Sequence, residues 1–178
     1  MASMRAMGEV DKLCVHHSAG SRGSVAEFRS EHRAKGWADI GYHAVIGNGA
    51  GAENGEVEAG RSERWEGAGV FGANAGVLHV CLVGNFDEGP PTPEQLRSLG
   101  HWLVNRCRTY RPGGALPVFA HCELAVPGHG TACPGDWWTG KDRVRLGMLR
   151  TWLRARLGKG TVSTDLELDE WLRREELR

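Results

Sequence analysis

The chain has 178 residues, with 22 basic against 22 acidic side chains and 40% hydrophobic residues. That length buries one core with a tail to spare and is short for two domains, and the balanced charge implies no global pull toward nucleic acid or an anionic membrane. Five cysteines, an odd number without close framework spacings, argue against a disulfide-stapled secreted protein and for reduced thiols.

The opening run MASMRAMGEVDK lacks the apolar core of a secretory signal. No stretch reaches the roughly 20 apolar residues that a spanning helix needs. The expectation is a soluble monomer made in a cytoplasm without a signal peptide, with no nucleic-acid partner and no stable membrane insertion. An extracellular substrate would have to be reached by another route.

In chain order, residues 12–17 read as a first strand ending in His16 and His17. Ser24 and Glu27 have capping-box spacing and Gly36 is a plausible stop, which predicts a helix over 25–35. GYHAVIG and GEVEAG predict two short strands. The glycine-rich NGAGAENG between them reads as a hairpin-like loop, because no Gly-Lys-Ser/Thr follows and no helix starts there. GVLHVCLVG is a continuous apolar run of strand length, expected to be central and covered on both faces.

Thr92, Pro93 and Gln95 supply the cap, first-turn proline and capping-box partner of the next helix. Leu96, Leu99, Leu103, Val104 and Cys107 give its apolar face, and Pro112-Gly113-Gly114 ends it. LPVFA is a further strand that delivers His121 at its carboxyl end. A helix is expected over 141–157 with Val144, Met148, Leu149 and Trp152 on one face and arginines on the other. Gly158-Lys159-Gly160 reads as a hinge, and 164–177 as a last amphipathic helix with Leu168, Trp171 and Leu172 as its stripe. That acidic tail either folds back to neutralise the basic helix, leaves the arginines to meet anionic cell-envelope polymers, or serves dimerisation.

The stretch 120–138, AHCELAVPGHGTACPGDWW, sets a histidine, an acid and a cysteine around a loop punctuated by Pro127, Gly128, Gly130 and Pro134. His121 and Cys133 are donors of the kind zinc selects. Two donors do not close a site, so a third is sought upstream in LCVHHS. Neighbours on a strand face opposite ways, so only one of His16 and His17 can enter it.

VHHSAG, GWADIGYHAVI, GEVEAGR, CLVGNF, TPEQ, AHCE and TACPG, in that order over about residues 12–138, resemble the zinc-dependent type 2 N-acetylmuramoyl-L-alanine amidases. The likeness is to the version found in bacteriophage endolysins and, more distantly, in peptidoglycan recognition proteins. The resemblance implies an α/β fold: a single catalytic domain over 1–158, with a central mixed β-sheet flanked by helices and the zinc site at the strand ends. A C-terminal helical extension over 159–178 follows. It also implies hydrolysis of the amide between N-acetylmuramic acid and L-alanine in peptidoglycan, as a lytic endolysin acting on the cell wall after release.

By the same match the Zn2+ ligands are His16, His121 and Cys133, with His16 chosen over His17. Such a set leaves a fourth position open, as catalytic rather than structural zinc sites do. Tyr42 corresponds to a catalytic tyrosine whose hydroxyl could serve the developing oxyanion; the plainer reading is a core phenol. Thr131 corresponds to a position that is lysine in some phage enzymes, or is simply a turn hydroxyl. Glu123 is read as an acid orienting a ligand, or as a surface carboxylate. Asn74 is a substrate contact by the match. Trp65, in a polar loop, is expected to be an exposed contact, while Trp37, Trp137 and Trp138 are expected in the core. His43 is expected to be structural. Cys81 stands where the cytoplasmic recycling amidases carry a glutamate base, which favours the phage type.

Two departures from the family pattern stand out. Gly69 replaces a substrate-holding histidine, so Gly69→His is expected to raise activity if that loss is limiting. His79 replaces a glycine at the start of the central strand. The competing functions are a recognition module that holds muropeptide without cutting it, and a cysteine peptidase using Cys133 and His121.

Overall fold

A computed structural model describes residues 3–140, 143–158, 168 and 170. Its elements are β1 (Lys12–His17), α1 (Val25–Ala34), β2 (Ala44–Ile46), β3 (Val57–Ala59), β4 (Val77–Leu82), α2 (Pro93–Tyr110), β5 (Val118–Ala120), α3 (His121–Leu124), α4 (Asp136–Thr139) and α5 (Val144–Leu157).

The five strands form one mixed sheet in the order β3-β2-β4-β1-β5. β1 runs parallel to β4 and β5, β2 runs parallel to β4, and β3 closes the edge antiparallel to β2. The expected α/β architecture is therefore present. β4 is the middle strand and all six of its residues are buried, as its unbroken apolar run requires when both faces are covered.

The local signals act as chemistry dictates. Ser24 Oγ accepts the Glu27 N–H at 3.2 Å and starts α1. Thr92 and Gln95 complete a reciprocal capping box on α2, and the Gln95 amide also donates to the Ile46 and Val83 carbonyls. Leu96, Leu99, Leu103, Val104 and Cys107 all face the core, each large side chain contributing about 1.5–3 kcal/mol by leaving water.

The main core lies between one face of the sheet and the helices α2 and α5. It takes Leu13 and Val15 from β1, alternating with Cys14 and His16, which turn to the opposite face. That opposite face is thinly covered, by α1 and loops, and there the polar side chains collect.

α5 departs from expectation in one respect. Leu146, Leu149, Trp152 and Leu153 are buried, but Val144 is 55% exposed because it occupies the first turn, ahead of the packed stretch. Two of its arginines are engaged within the fold. Arg145 donates to the Trp137 carbonyl and lies over the Trp137 ring, and Arg150 donates to the Val118 carbonyl and pairs with Glu123. Leu168 is fully buried in the main core. The expected hinge at 159–160, the rest of the last helix, and the apolar positions Trp171 and Leu172 lie outside the described residues.

Candidate metal centre and cleft

Three chain segments meet at the carboxyl ends of β1 and β5. Because β1 and β5 are parallel with Val15 level with Ala120, the residues that follow those two positions, His16 and His121, stand side by side, ring centroids 4.7 Å apart. The loop 131–135 then brings Cys133 over the same strand ends. It is held there by Cys122 N–H donating to the Cys133 carbonyl at 2.9 Å and by His17 N–H donating to Cys133 Sγ at 3.4 Å. Gly135 completes the loop at φ 102°, and a Cβ on it would lie 2.6 Å from the Phe86 carbonyl carbon, so only glycine lets the loop sit this close.

Donor atoms of His16, His121 and Cys133 all lie within 4.8 Å of one another. Cys133 Sγ is 3.7 Å from His16 Nδ1. Zinc holds sulfur at about 2.3 Å and nitrogen at about 2.0–2.1 Å, which puts two such donors about 3.6 Å apart in a tetrahedral site. The Cys133–His16 spacing is that of two ligands of one such ion.

Electrostatics agree. Burial, and then the neighbouring histidines, depress the His16 pKa well below its ordinary value, and burial followed by His17 depresses that of His121. Both imidazoles are thus neutral near pH 7, the state that ligates. Burial pushes the Cys133 thiol up to about 12, against a partial offset from the His17 N–H. A cation between these groups would reverse that cost, since a coordinating thiol is deprotonated outright.

His17 is used differently. Its Nδ1 accepts the Phe86 N–H at 3.2 Å and its ring packs on Phe86, on the other side of the strand from His16.

A cleft of about 920 Å³ opens beside the cluster, lined among others by Trp37, Gly69, Phe71, Asn74, His121, His129 and Thr131. The N-acetylmuramoyl-L-alanine amidase family matches over residues 6–136, a span that contains every one of these side chains.

The chain belongs to the N-acetylmuramoyl-L-alanine amidase family.

The endolysin of Escherichia phage T7 is 36% identical over 146 residues, covering 75% of this chain and 89% of the relative. The peptidoglycan-recognition protein SD of Drosophila melanogaster is 42% identical over 100 residues, covering 56% and 49%. Among solved structures, the N-acetylmuramoyl-L-alanine amidase LysC from Clostridium intestinale superposes with a TM-score of 0.65 at 25% identity, over 75% of this chain and 82% of that one.

In this family member, Tyr42 lies with its ring centroid 5.2 Å from that of His16, and the Cys81 thiol is among its neighbours. Burial, then the nearby thiols, raise its pKa well above the usual phenol, so it remains a proton donor at neutral pH. Thr131 Oγ1 accepts the Cys133 N–H at 3.1 Å, a turn contact that leaves its hydroxyl proton to be donated. Asn74 lines the cleft with Oδ1 taken by the Val70 N–H at 2.9 Å.

Among the described residues, Glu123 makes no hydrogen bond to the His16, His121 or Cys133 side chains. It accepts the Ala120 N–H at 2.9 Å and pairs with Arg150 and Arg143, which fixes the backbone entering His121 rather than the imidazole. Trp65 is half-buried, bridged to Ala6, and absent from the cleft lining. Its carbonyl instead takes the His43 Nε2 proton at 3.0 Å. Trp37, expected in the core, is 38% exposed, stacks on His32 and lines the cleft. Trp138 is fully buried as expected, and Trp137 half-buried beside it.

Gly69 cannot simply regain a histidine. A Cβ there would lie 2.7 Å from His79 Nδ1 and 3.0 Å from His16 Nε2, so the expectation of a gain from Gly69→His gives way to a steric conflict. Phe71 stacks on His129 at the cleft rim, centroids 4.1 Å apart, a contact no sequence spacing predicts. The sequence marks it only as a phenylalanine within the glycine-rich GAGVFGANAG, and the structure leaves it 68% exposed. Arg61, buried and donating to the Asp39, Ile40 and Glu66 carbonyls, ties the cleft wall together.

Proposed function

We propose that this chain is a peptidoglycan amidase of the phage endolysin type that binds zinc through His16, His121 and Cys133. It cleaves the bond between the lactyl group of N-acetylmuramic acid and L-alanine, acting on the cell wall after release. The observation that carries this is the convergence of three zinc-type donors, from segments far apart in the chain, beside an open cleft.

His16, His121 and Cys133 would hold the zinc, which when bound would supply an acidified water and Lewis-acid polarisation of a carbonyl oxygen. The chain's own groups supply the rest. The Tyr42 hydroxyl, held protonated by its burial, donates to charge developing on the scissile carbonyl oxygen. Thr131 offers a second hydroxyl proton from the cleft wall, without the positive charge of a lysine. Asn74, Phe71, His129 and Trp37 give the cleft polar and aromatic surfaces suited to a peptide joined to a sugar.

A cysteine peptidase is disfavoured by the same geometry. A nucleophilic thiol needs a lowered pKa, whereas burial raises that of Cys133. A module that holds muropeptide uncut would have no use for the His16, His121 and Cys133 cluster.

Purified peptidoglycan tests the reading. Chelator should stop lysis and zinc should restore it, with new alanine amino termini among the products. Cleavage indifferent to chelation, or binding without new amino termini, would replace it by one of the two rivals.

A further inference from the structure

We propose that His79, projecting from the central strand, is the positioning residue of the metal centre. It accepts the Nε2 proton of His16 and so presents the other ring nitrogen of that ligand to Cys133 and His121. The proposal rests on the reading of His16 as a zinc ligand.

His16 Nε2 lies 3.0 Å from His79 Nδ1, both rings being fully buried, while His16 Nδ1 faces Cys133 Sγ. An imidazole that gives one nitrogen to a metal as a lone-pair donor carries its proton on the other. His16 must therefore donate from Nε2, and His79 must accept at Nδ1 and carry its own proton on Nε2. His79 Nε2 is buried with no partner among the described residues.

The surroundings are built around this ring. The His79 backbone is tied at both ends to one neighbour, its N–H donating to His43 Nδ1 at 2.9 Å and its carbonyl accepting the His43 N–H at 2.8 Å. The two imidazoles lie parallel, 5.8 Å apart, and His43 Nε2 is anchored on the Trp65 carbonyl. On the open side, a Cβ at Gly67 would come 2.4 Å from His79 Cδ2, and one at Gly69 would come 2.7 Å from Nδ1. Both glycines make room for His79.

Cys14, His16 and His79 also bring donor atoms within 4.8 Å of one another. Two imidazole nitrogens around one tetrahedral zinc stand about 3.3–3.4 Å apart. The observed 3.0 Å is a hydrogen-bond distance, and it favours positioning over a second ion.

The test is zinc affinity of the full chain, by competition with a chromophoric chelator, for wild type, His79→Leu and His79→Asn. The melting temperature of each metal-free protein is recorded alongside. The leucine variant should bind zinc about 10–100-fold more weakly, the loss typical of removing such a partner. Asparagine places an acceptor oxygen near the position of Nδ1 and should recover most of that loss, and metal-free stability should not track the change. Nitrogen NMR of zinc-loaded wild type should find His16 protonated at Nε2 and His79 bare at Nδ1, a readout that needs no variant to fold. Unchanged affinity in His79→Leu, the opposite ring protonation, or two zinc ions per chain with one lost in that variant would overturn the proposal. A wild type that binds no zinc would instead remove the functional reading beneath it.

Discussion

Cys133 Sγ stands 3.7 Å from His16 Nδ1 although 117 positions separate them in the chain. The contact joins the end of β1 to the loop before α4, and His121 enters beside it from the end of β5.

Cys133→Ser and His121→Ala should each remove zinc binding and reduce peptidoglycan lysis to background. Several kcal/mol of transition-state stabilisation would be lost, about 4 kcal/mol corresponding to a thousandfold in rate. Metal content of the purified variants and turbidity loss of a wall suspension measure the two effects.

His17→Ala separates the paired histidines. The variant should keep its zinc, because the His17 ring faces Phe86, but it leaves the Phe86 N–H without its acceptor in a buried setting. The cost is about 1–3 kcal/mol of stability, read from urea denaturation. Loss of zinc with unchanged stability would place the ligand at His17 instead of His16.

Gly69→Ala should destabilise the fold by about 1–3 kcal/mol through overpacking, since the new methyl meets the His79 and His16 rings. Thermal unfolding checks this. A variant as stable as wild type would mean that the two rings move aside at little cost.

Tyr42→Phe should leave zinc affinity intact and lower turnover by about 100-fold or more, the scale of losing one oxyanion donor. Full activity in this variant would remove Tyr42 from the reaction.

Asp39 gives a pH signature. Burial alone would raise its pKa, but the Arg29 Nε–H at 2.7 Å, the Ile40 N–H at 2.9 Å and the charges of Arg29 and Arg33 together hold it below the usual carboxylate value. A folded-state pKa below the unfolded one contributes stability that is complete above about pH 4 and is lost as pH falls through the folded value. Asp39→Asn should therefore cost about 1 kcal/mol at pH 7. The difference from wild type should shrink in acid, as a denaturation series from pH 7 to pH 2 would record.

Read alone, the amino-acid order was sufficient for the five strands and for α1, α2 and α5, while the short helices α3 and α4 fall in a stretch that reads as a loop. The runs of β1 and β4, the Ser24 and Thr92 caps and the apolar spacing of α2 are local patterns, and local hydrogen bonding and periodic burial enforce them wherever the chain goes. Strand alternation also showed that only one of His16 and His17 could enter a site. Which one did depended on where β5 and the 131–135 loop came to rest, and that is a matter of sheet order and register. Trp37 lines the cleft instead of the core and Trp65 is half-buried outside the cleft lining, because exposure of an indole is decided by the neighbours that cover it, and those come from distant segments. His79 was visible only as a bulky residue in a tight place. Its contact with His16 exists because β1 and β4 lie side by side in parallel while two glycines of a third segment stand back from the ring, a coincidence in space that no spacing along the chain encodes.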